Sequence, residues 1–216
     1  MVNVLILDGM GVIYSVSDDV RDLLCPFVAE KGGTLDAMKI GRLYREASLG
    51  HISAAEFWRG VDVDPRLEDA YLQRHQLTAG TIKFLDAVKL KGIVMWLLSN
   101  DVPQWSVKLR ARFGLEPYFH GFVVSGDVGV RKPDTAIYKI LMECVAAHPQ
   151  DLLFVDDSRK NLDAAAALGL QTMLFSPAGD VSPHDPNPDP VLAPPGNVTT
   201  NHPIAQTLDE VLAKLS

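Results

Sequence analysis

The chain has 216 residues, 47% of them hydrophobic and 22% charged, a composition typical of a globular protein large enough to bury a core. Its formal net charge of −7 argues against a broad surface for nucleic acid or anionic membranes, although a local basic pocket for a small anion is compatible with it. The two cysteines form no metal-ligand or redox pattern, and the first residues do not resemble a secretory signal. We therefore expect a cytoplasmic protein.

Short apolar runs of strand length alternate with helix-length segments along most of the chain. The apolar runs are residues 2–7, 93–98, 121–124, 152–155 and 171–175. The segments of helix length between them include 103–114, 134–147 and 158–169. This alternation predicts an α/β fold with a Rossmann-like parallel sheet and helices on both faces. In such sheets, ligands bind beyond the carboxyl ends of the strands.

Residues 16–90 interrupt this alternation. They read as successive amphipathic helices with Gly, Ser or Pro at the joints, and the last of them returns to the core. We predict an α/β core formed by residues 1–15 and 91–216, with an all-helical cap inserted at 16–90. The proline-rich residues 176–203 are predicted to form an extended loop within the C-terminal segment of the core, before a last helix at 205–215.

Polar residues follow three of the predicted strands directly. Asp8 enters a Gly-flanked turn after the first strand, Ser99 and Asn100 follow the second, and Asp156 and Asp157 follow the run at 152–155. Taken singly, each is explained by a turn or a helix cap. Together they are predicted to meet at one edge of the sheet.

Lys132 precedes a helix that begins near Pro133 and Asp134. A lysine in a loop is ordinarily solvated, but beside several carboxylates a fixed cation would offset their charge and that of a phosphate. The adjacent Asp156 and Asp157 repel each other unless a cation or a shared proton intervenes. An oxygen-rich site of this kind suits Mg²⁺, while the alternative for one of the two acids is to cap the following helix.

The order of these motifs resembles that of the haloacid dehalogenase superfamily, over residues 3 to about 175. The wording "RKPDTAIY" and "FVDDSRKNLDAA" is similar to its phosphatase-like branches that carry a small helical cap. The motifs concerned are Asp8, Ser99-Asn100, Lys132-Pro133 and Asp156-Asp157. Four motifs in order at strand ends are far more specific than any one alone.

The resemblance implies a mechanism and a metal. Asp8 would attack phosphorus to form an aspartyl-phosphate, with Ser99 and the backbone of Asn100 holding the phosphoryl oxygens and Lys132 offsetting their charge. Mg²⁺ would be held by the set that comprises the Asp8 carboxylate, the main-chain carbonyl of Met10 and Asp157, with Asp156 bound to it or just behind it.

Met10 departs from the pattern of most phosphatases in this family, which carry a second Asp two residues after the nucleophile. That Asp protonates the leaving alkoxide and then activates water, and a thioether can do neither. General acid–base catalysis is worth ~10²–10⁴-fold. We therefore expect slow turnover, a substrate with a good leaving group, or a replacement acid from the cap, for which His51 and Glu46 are candidates. Candidates to face the substrate from the cap are Arg42, Arg45, His51 and Trp58.

The favoured interpretation is a Mg²⁺-dependent phosphatase of a small phosphorylated metabolite, with no nucleic-acid or membrane partner. One alternative is a catalytically weakened protein that binds a phospho-ligand or a protein partner. A second is a 2-haloacid dehalogenase, which has no use for the pair Asp156 and Asp157. A third is a phosphonatase-type hydrolase, which needs a Schiff-base lysine in the cap such as Lys31 or Lys39.

Overall fold

The computed structural model describes residues 2–177 and 201–215, which form a parallel sheet covered by helices. The strands are β1 Val4–Leu7, β2 Val94–Ser99, β3 Gly121–Val124, β4 Leu152–Asp156, β5 Gln171–Phe175 and β6 Ile204–Ala205. Their order across the sheet is β3-β2-β1-β4-β5-β6, and every pairing is parallel. The central strand β1 aligns Val4 with Val94 on one side and with Leu152 on the other.

The helices follow the predicted order along the chain. They are α1 Cys25–Glu30, α2 Ala37–Ser48, α3 Ala54–Gly60, α4 Glu68–Leu72, α5 Thr81–Leu90, α6 Pro103–Phe113, α7 Ser125–Val128, α8 Thr135–Val145, α9 Arg159–Ala166 and α10 Leu208–Lys214. Short helical turns occur at Val20–Leu24, Pro65–Leu67, Glu116–Tyr118 and Pro149–Asp151. In the described part of the chain, none of the helices is long and apolar enough to cross a membrane.

The two faces of the sheet are buried in two separate apolar clusters. Leu5 and Leu7 of β1 point into one cluster with α5, α6 and α10, and Val4 and Ile6 point into the other with α8 and α9. Alternate residues of one strand thus enter opposite cores, which is why the strand sequences are apolar throughout. The predicted Rossmann-like sheet with helices on both faces is confirmed.

Helices α1 to α4 lie between β1 and α5 and share an aromatic core. Phe27, Phe57, Trp58 and Tyr71 are fully buried there together with Trp105 of α6, with ring centroids 5.0–5.7 Å apart in the contacting pairs. The apolar positions of several short helices therefore pack as one unit against the core.

Side chains close in sequence cap the N-termini of two helices in this insertion. The Asp36 side chain accepts a hydrogen bond from the backbone N–H of Lys39 and caps α2. Ser53 and Glu56 form a reciprocal capping box at the start of α3. Such caps satisfy backbone N–H groups that have no partner within the helix.

The end of the chain differs from the prediction. The last helix was predicted at 205–215, but Ile204–Ala205 forms β6 beside β5, and α10 starts at Leu208 after its cap Thr207. A strand of two residues is too short to show a periodicity of its own, so the prediction extended the helix too far. Most of the predicted loop 176–203 lies outside the described residues. At its described end, His202 is buried and its ring nitrogens lie 2.8 Å from Thr172 Oγ1 and 2.9 Å from Asp163 Oδ1.

Candidate active site

Asp8 lies at the carboxyl edge of the sheet, next to the end of β2. Its backbone N–H donates to Val155 O over 3.0 Å, which continues the ladder between β1 and β4 and fixes its position. The next residue, Gly9, sits so close to β2 that an added Cβ would lie 2.7 Å from Ser99 Oγ. The missing side chain at Gly9 therefore lets Asp8 and Ser99 lie side by side, as predicted for neighbouring strand ends.

Lys132 is held against two carboxylates. Its Nζ lies 2.7 Å from Asp8 Oδ1 and 2.8 Å from Asp156 Oδ2, and its side chain is 1% exposed. Burial lowers the pKa of Lys132, but the charges of Asp156 and Asp8 outweigh it and raise the pKa overall. The amine therefore stays protonated and forms a fixed buried cation.

Asn100 holds the loop that presents this lysine. The Lys132 backbone N–H donates to Asn100 Oδ1 over 2.8 Å, and Asn100 Nδ2 donates to the Lys132 carbonyl over 2.9 Å. The amide side chain of Asn100 is thus used to fix the loop, which leaves its backbone at the cavity edge.

The two adjacent acids after β4 have different surroundings. Asp156 is fully buried and accepts hydrogen bonds from the Ser158 backbone N–H over 2.7 Å and from Asn161 Nδ2 over 3.0 and 3.1 Å, besides its contact with Lys132. Its neighbour Asp157 lines the cavity. Asp156 therefore anchors Lys132 and the start of α9, while Asp157 faces the space where a ligand would bind.

Gly11 and Ser17 shape the site around Asp157. The Ser17 hydroxyl donates to Asp157 Oδ2, and a Cβ added to Gly11, at φ +79°, would lie 2.0 Å from the same oxygen. The loop after β1 approaches Asp157 so closely that only glycine fits there. Close approach of neighbouring atoms thus explains why both Gly9 and Gly11 of the sequence "DGMG" are glycines.

Three carboxylates converge at this edge. Oxygens of Asp8, Asp156 and Asp157 lie within 4.8 Å of one another. Burial raises the pKa of Asp8 well above its usual range, and the charge of Asp156 adds to this against the opposing effect of Lys132. Burial, followed by the charge of Asp156, raises the pKa of Asp157 to about 7. Three acids beside one lysine carry a surplus of negative charge, and their hard oxygen donors fit Mg²⁺.

Met10 also lines this cavity, and its side chain is 9% exposed and packed in the apolar core. No acid is therefore present at the position where the family resemblance calls for one. The suggested replacements do not fill it, because His51 Nδ1 pairs with Glu46 Oε2 at 2.9 Å on the exposed side of the insertion and neither residue lines the cavity.

The other residues suggested for substrate contact in the insertion also lie elsewhere. Trp58 is fully buried and donates through Nε1 to Glu68 Oε2 over 3.1 Å. Arg42 is exposed, and Arg45 lines a separate cavity beside α2. None of the three belongs to the lining of the cavity that holds Asp8.

The residues of the insertion that line the cavity were missed by the sequence prediction; they are Ser17, Asp18, Asp19, Val20 and Tyr44. The Tyr44 hydroxyl donates to Asn100 O over 3.2 Å and so reaches the core from α2. Tyr44 belongs to the buried face of an amphipathic helix, and Asp19 stands in the acidic "SDDV" before the first helical turn. Neither signal separates a cavity residue from an ordinary core or cap residue.

A family model described as haloacid dehalogenase-like hydrolase matches residues 3–169. The chain therefore belongs to this family of hydrolases. It is 31% identical to phosphoglycolate phosphatase 1 of Pseudomonas aeruginosa over 106 residues, which are 48% of this chain and 39% of that protein. The chain spans less than half the length of the curated relatives it matches.

Solved structures of the same fold include a complex with magnesium and phosphate and a dehalogenase. One is a family enzyme of Bacteroides thetaiotaomicron in complex with magnesium and inorganic phosphate, with a TM-score of 0.71, 22% identity and coverage of 84% of this chain and 98% of that one. The other is L-2-haloacid dehalogenase of Xanthobacter autotrophicus, with a TM-score of 0.65, 17% identity and coverage of 100% and 98%. At these identities the likeness establishes the fold, and the choice of chemistry depends on the site.

Proposed function

We propose that this protein is a Mg²⁺-dependent phosphatase that hydrolyses a small phosphorylated metabolite. The observation that carries the proposal is the contact between the Asp8 carboxylate and the buried Lys132 amine at 2.7 Å, beside Asp157 in one cavity. A nucleophile, a fixed cation and a second acid thus share one small space. Phosphoryl transfer depends mainly on such positioning and charge stabilisation.

Each residue has a definite role in this reaction. Asp8 attacks phosphorus and forms an aspartyl-phosphate, which water then hydrolyses. Ser99 and the backbone N–H of Asn100 hold the phosphoryl oxygens at the end of β2, and Lys132 offsets their charge.

The metal would be held by the Asp8 carboxylate, the main-chain carbonyl of Met10 and Asp157, with Asp156 just behind it. When bound, Mg²⁺ supplies positive charge that offsets the oxygens of the phosphoryl group. Because the ligand at Met10 is a backbone carbonyl, the loss of an acidic side chain there leaves the metal site intact.

The paired acids favour this chemistry over dehalogenation. Attack on a carbon–halogen bond needs no metal, so Asp157 beside Asp8 would leave unused negative charge in the site. The phosphonatase alternative has no support from the cap lysines either. Lys31 lies 2.8 Å from Glu30 Oε1, Lys39 lies 3.4 Å from Asp62 Oδ2, and neither lines the cavity.

We further propose that residues 16–90 act as a cap that limits the substrate to a small molecule. The insertion reaches the core beside the site, where Tyr44 contacts Asn100 and Ser125 Oγ donates to Ser48 O over 2.5 Å. Substrate specificity then depends on the part of the cavity wall that comes from this insertion, including Tyr44.

The test is phosphate release from an activated aryl phosphate and from a panel of sugar and acyl phosphates, with and without Mg²⁺. Wild type is expected to show metal-dependent release that Asp8→Asn abolishes. Asp209→Asn, which alters an exposed acid on α10, is the matched control and should match wild type. Met10→Asp shows whether the site lacks an acid, because it raises the rate for substrates with poor leaving groups only where no other residue supplies the proton.

No release from wild type but clear release from Met10→Asp would identify a phosphatase site that has become dormant. No release from either protein would contradict the proposal and favour the phospho-ligand-binding or carbon-centred alternatives.

A further inference from the structure

Asp19 is a buried acid of the insertion that lines the same cavity as Asp8 and Met10. Asp19 is 5% exposed, and both of its carboxylate oxygens have hydrogen-bond partners. Asp19 Oδ1 lies 3.1 Å from His75 Nε2, and Oδ2 accepts a hydrogen bond from Tyr71 Oη over 2.5 Å. The mechanism proposed above uses none of Asp19, Tyr71 and His75.

The hydrogen-bond partners constrain the protons of this cluster. His75 Nδ1 lies 3.3 Å from the Leu72 carbonyl oxygen and Nε2 lies 3.1 Å from Asp19 Oδ1. Both partners are acceptors, so the two contacts together favour a ring that carries a hydrogen on each nitrogen. The Tyr71 hydroxyl donates its hydrogen to Asp19. In this form one hydrogen lies between His75 Nε2 and Asp19 Oδ1. The pair is either an imidazolium beside a carboxylate or an imidazole beside a carboxylic acid, and in both forms it stores one transferable proton.

The surroundings keep this proton in place. Burial lowers the pKa of His75, but the hydrogen bond and charge of Asp19, followed by the charge of Asp101, raise it above its usual value overall. The Arg112 guanidinium contacts the His75 backbone carbonyl over 3.1 Å, and the Tyr14 ring meets the imidazole edge-on at 6.3 Å. With the His75 side chain 1% exposed, the proton leaves most readily by way of Asp19.

Asp19 and Asp8 line one cavity together with Tyr44. Burial raises the pKa of Tyr44, and the charges of Asp101, Asp19 and Asp8 raise it further. Asp19 therefore lies in the part of the insertion that meets the cavity beside the nucleophile. A general acid acts from such a position by a direct hydrogen bond or through one water molecule.

We propose that Asp19 is the general acid and base that replaces the acid missing at Met10, with His75 as the positioning residue that stores its proton. This inference rests on the proposed phosphatase function. In the first step an Asp8 oxygen bonds to phosphorus, the bond from phosphorus to the leaving oxygen breaks, and that oxygen takes the proton from Asp19. Asp19 is left as a carboxylate beside neutral His75.

In the second step Asp19 takes a proton from water as the water oxygen attacks phosphorus and the bond to Asp8 breaks. The proton then returns to the position between Asp19 and His75. One phosphate ester and one water thus yield one alcohol and one phosphate, and the pair regains its starting protonation.

The experiment compares kcat/KM for an alkyl phosphate and an aryl phosphate, because this ratio reports the step in which the leaving group departs. A poor alkoxide leaving group needs the acid, whereas a nitrophenolate does not. Asp19→Asn is expected to lower kcat/KM for the alkyl substrate ~10²–10⁴-fold and to leave the aryl value within about threefold. His75→Gln is expected to show the same selectivity with a smaller loss.

Glu68→Gln is the matched control, since it makes the corresponding change at another mostly buried acid of the insertion, which accepts hydrogen bonds from Trp58 and Lys108 and does not line the cavity. It should change both substrates by the same factor. Introducing Met10→Asp into the Asp19→Asn background should restore the alkyl rate, because it returns an acid to the leaving-group side. A structural role for Asp19 would not produce either result.

A further measurement needs no variant. In wild type, kcat/KM across a series of aryl and alkyl phosphates should depend only weakly on the pKa of the leaving alcohol, because the leaving oxygen is protonated as it departs. A steep dependence in wild type, or an equal loss for both substrates in Asp19→Asn, would overturn the role of Asp19 while the phosphatase function stands. Absence of Asp8-dependent hydrolysis in wild type would overturn both.

Discussion

Replacing Lys132 by methionine tests the electrostatic design of the site without any assumption about substrate. Methionine keeps most of the side-chain volume but removes the amine that lies 2.7 Å from Asp8 and 2.8 Å from Asp156. Removing one partner of a buried ion pair costs about 3–5 kcal/mol, because the remaining charge stays buried without compensation. Domains of this size have free energies of unfolding of about 5–15 kcal/mol, so Lys132→Met should lose a large part of its stability at pH 8.

The loss should depend on pH with a definite sign. The pKa of Lys132 is raised, so its contribution is present throughout pH 5–8 and is lost only at higher pH. The pKa of Asp8 is also raised, so the folded variant binds protons more readily than the unfolded chain, and its stability rises as the pH falls. Protonation of Asp8 thereby relieves the charge that the missing lysine would have offset. The difference between wild type and Lys132→Met should be largest at pH 8 and clearly smaller at pH 5.

The assay is urea unfolding of both proteins in EDTA at pH 5 and pH 8, followed by circular dichroism. Lys139→Met, at an exposed position of α8, is the matched control and should stay within about 0.5 kcal/mol of wild type at both pH values. A loss below about 1 kcal/mol for Lys132→Met at pH 8 would refute the argument from a buried pair. A loss that is the same at pH 5 and pH 8 would refute the role of the surrounding acids.

Two further predictions concern neighbouring positions. Gly11→Ala should destabilise the fold by at least about 1 kcal/mol in thermal unfolding and abolish metal-dependent activity. The reason is that the added Cβ would lie 2.0 Å from Asp157 Oδ2 at a backbone φ of +79°. A variant with the Tm and activity of wild type would contradict this geometry. Burial raises the pKa of Asp101 to about 7, so its ionisation destabilises the folded protein as pH rises from about 4 through 7. Asp101→Asn, which keeps an oxygen for the Val102 N–H, should therefore be more stable than wild type at pH 8, by up to about 4 kcal/mol, with the difference disappearing toward pH 4 in denaturant titrations.

The fold and the edge of the sheet at which Asp8 and Ser99 meet could be predicted because their signals are local. Strands β1 to β4 are apolar up to their carboxyl ends because both of their faces are buried, and β5 is apolar over its last three residues. The polar residue that follows each apolar run marks where the strand leaves the core. Asp8 and Ser99 meet because the parallel register fixes the ends of β1 and β2 at one edge. The two-residue strand β6 escaped prediction because its pairing with β5 depends on a contact across the chain, which no periodicity of two residues can reveal.

The different roles of Asp156 and Asp157 were implied by the family resemblance and could not be predicted from the residues themselves. Asp156 and Asp157 are adjacent and chemically identical in the sequence, yet the first is saturated by Ser158, Asn161 and Lys132 while the second faces the cavity. The alternation of side chains at the strand end sends neighbours in opposite directions. Which direction is the cavity depends on the packing of the whole sheet.

The sequence by itself determined strands β1 to β5, most of the helices, the edge of the sheet at which Asp8 and Ser99 meet and the absence of an acid at Met10, because each depends on residue type and on near neighbours along the chain. Only the tertiary structure brings the proposed replacement, Asp19, into the cavity that holds Asp8. Asp19 and His75 are 56 positions apart, and the suggested replacements His51 and Glu46 are nearer to each other than to the site. The contact between Asp19 Oδ1 and His75 Nε2 brings two particular atoms to 3.1 Å, and that distance is set by folding rather than by composition.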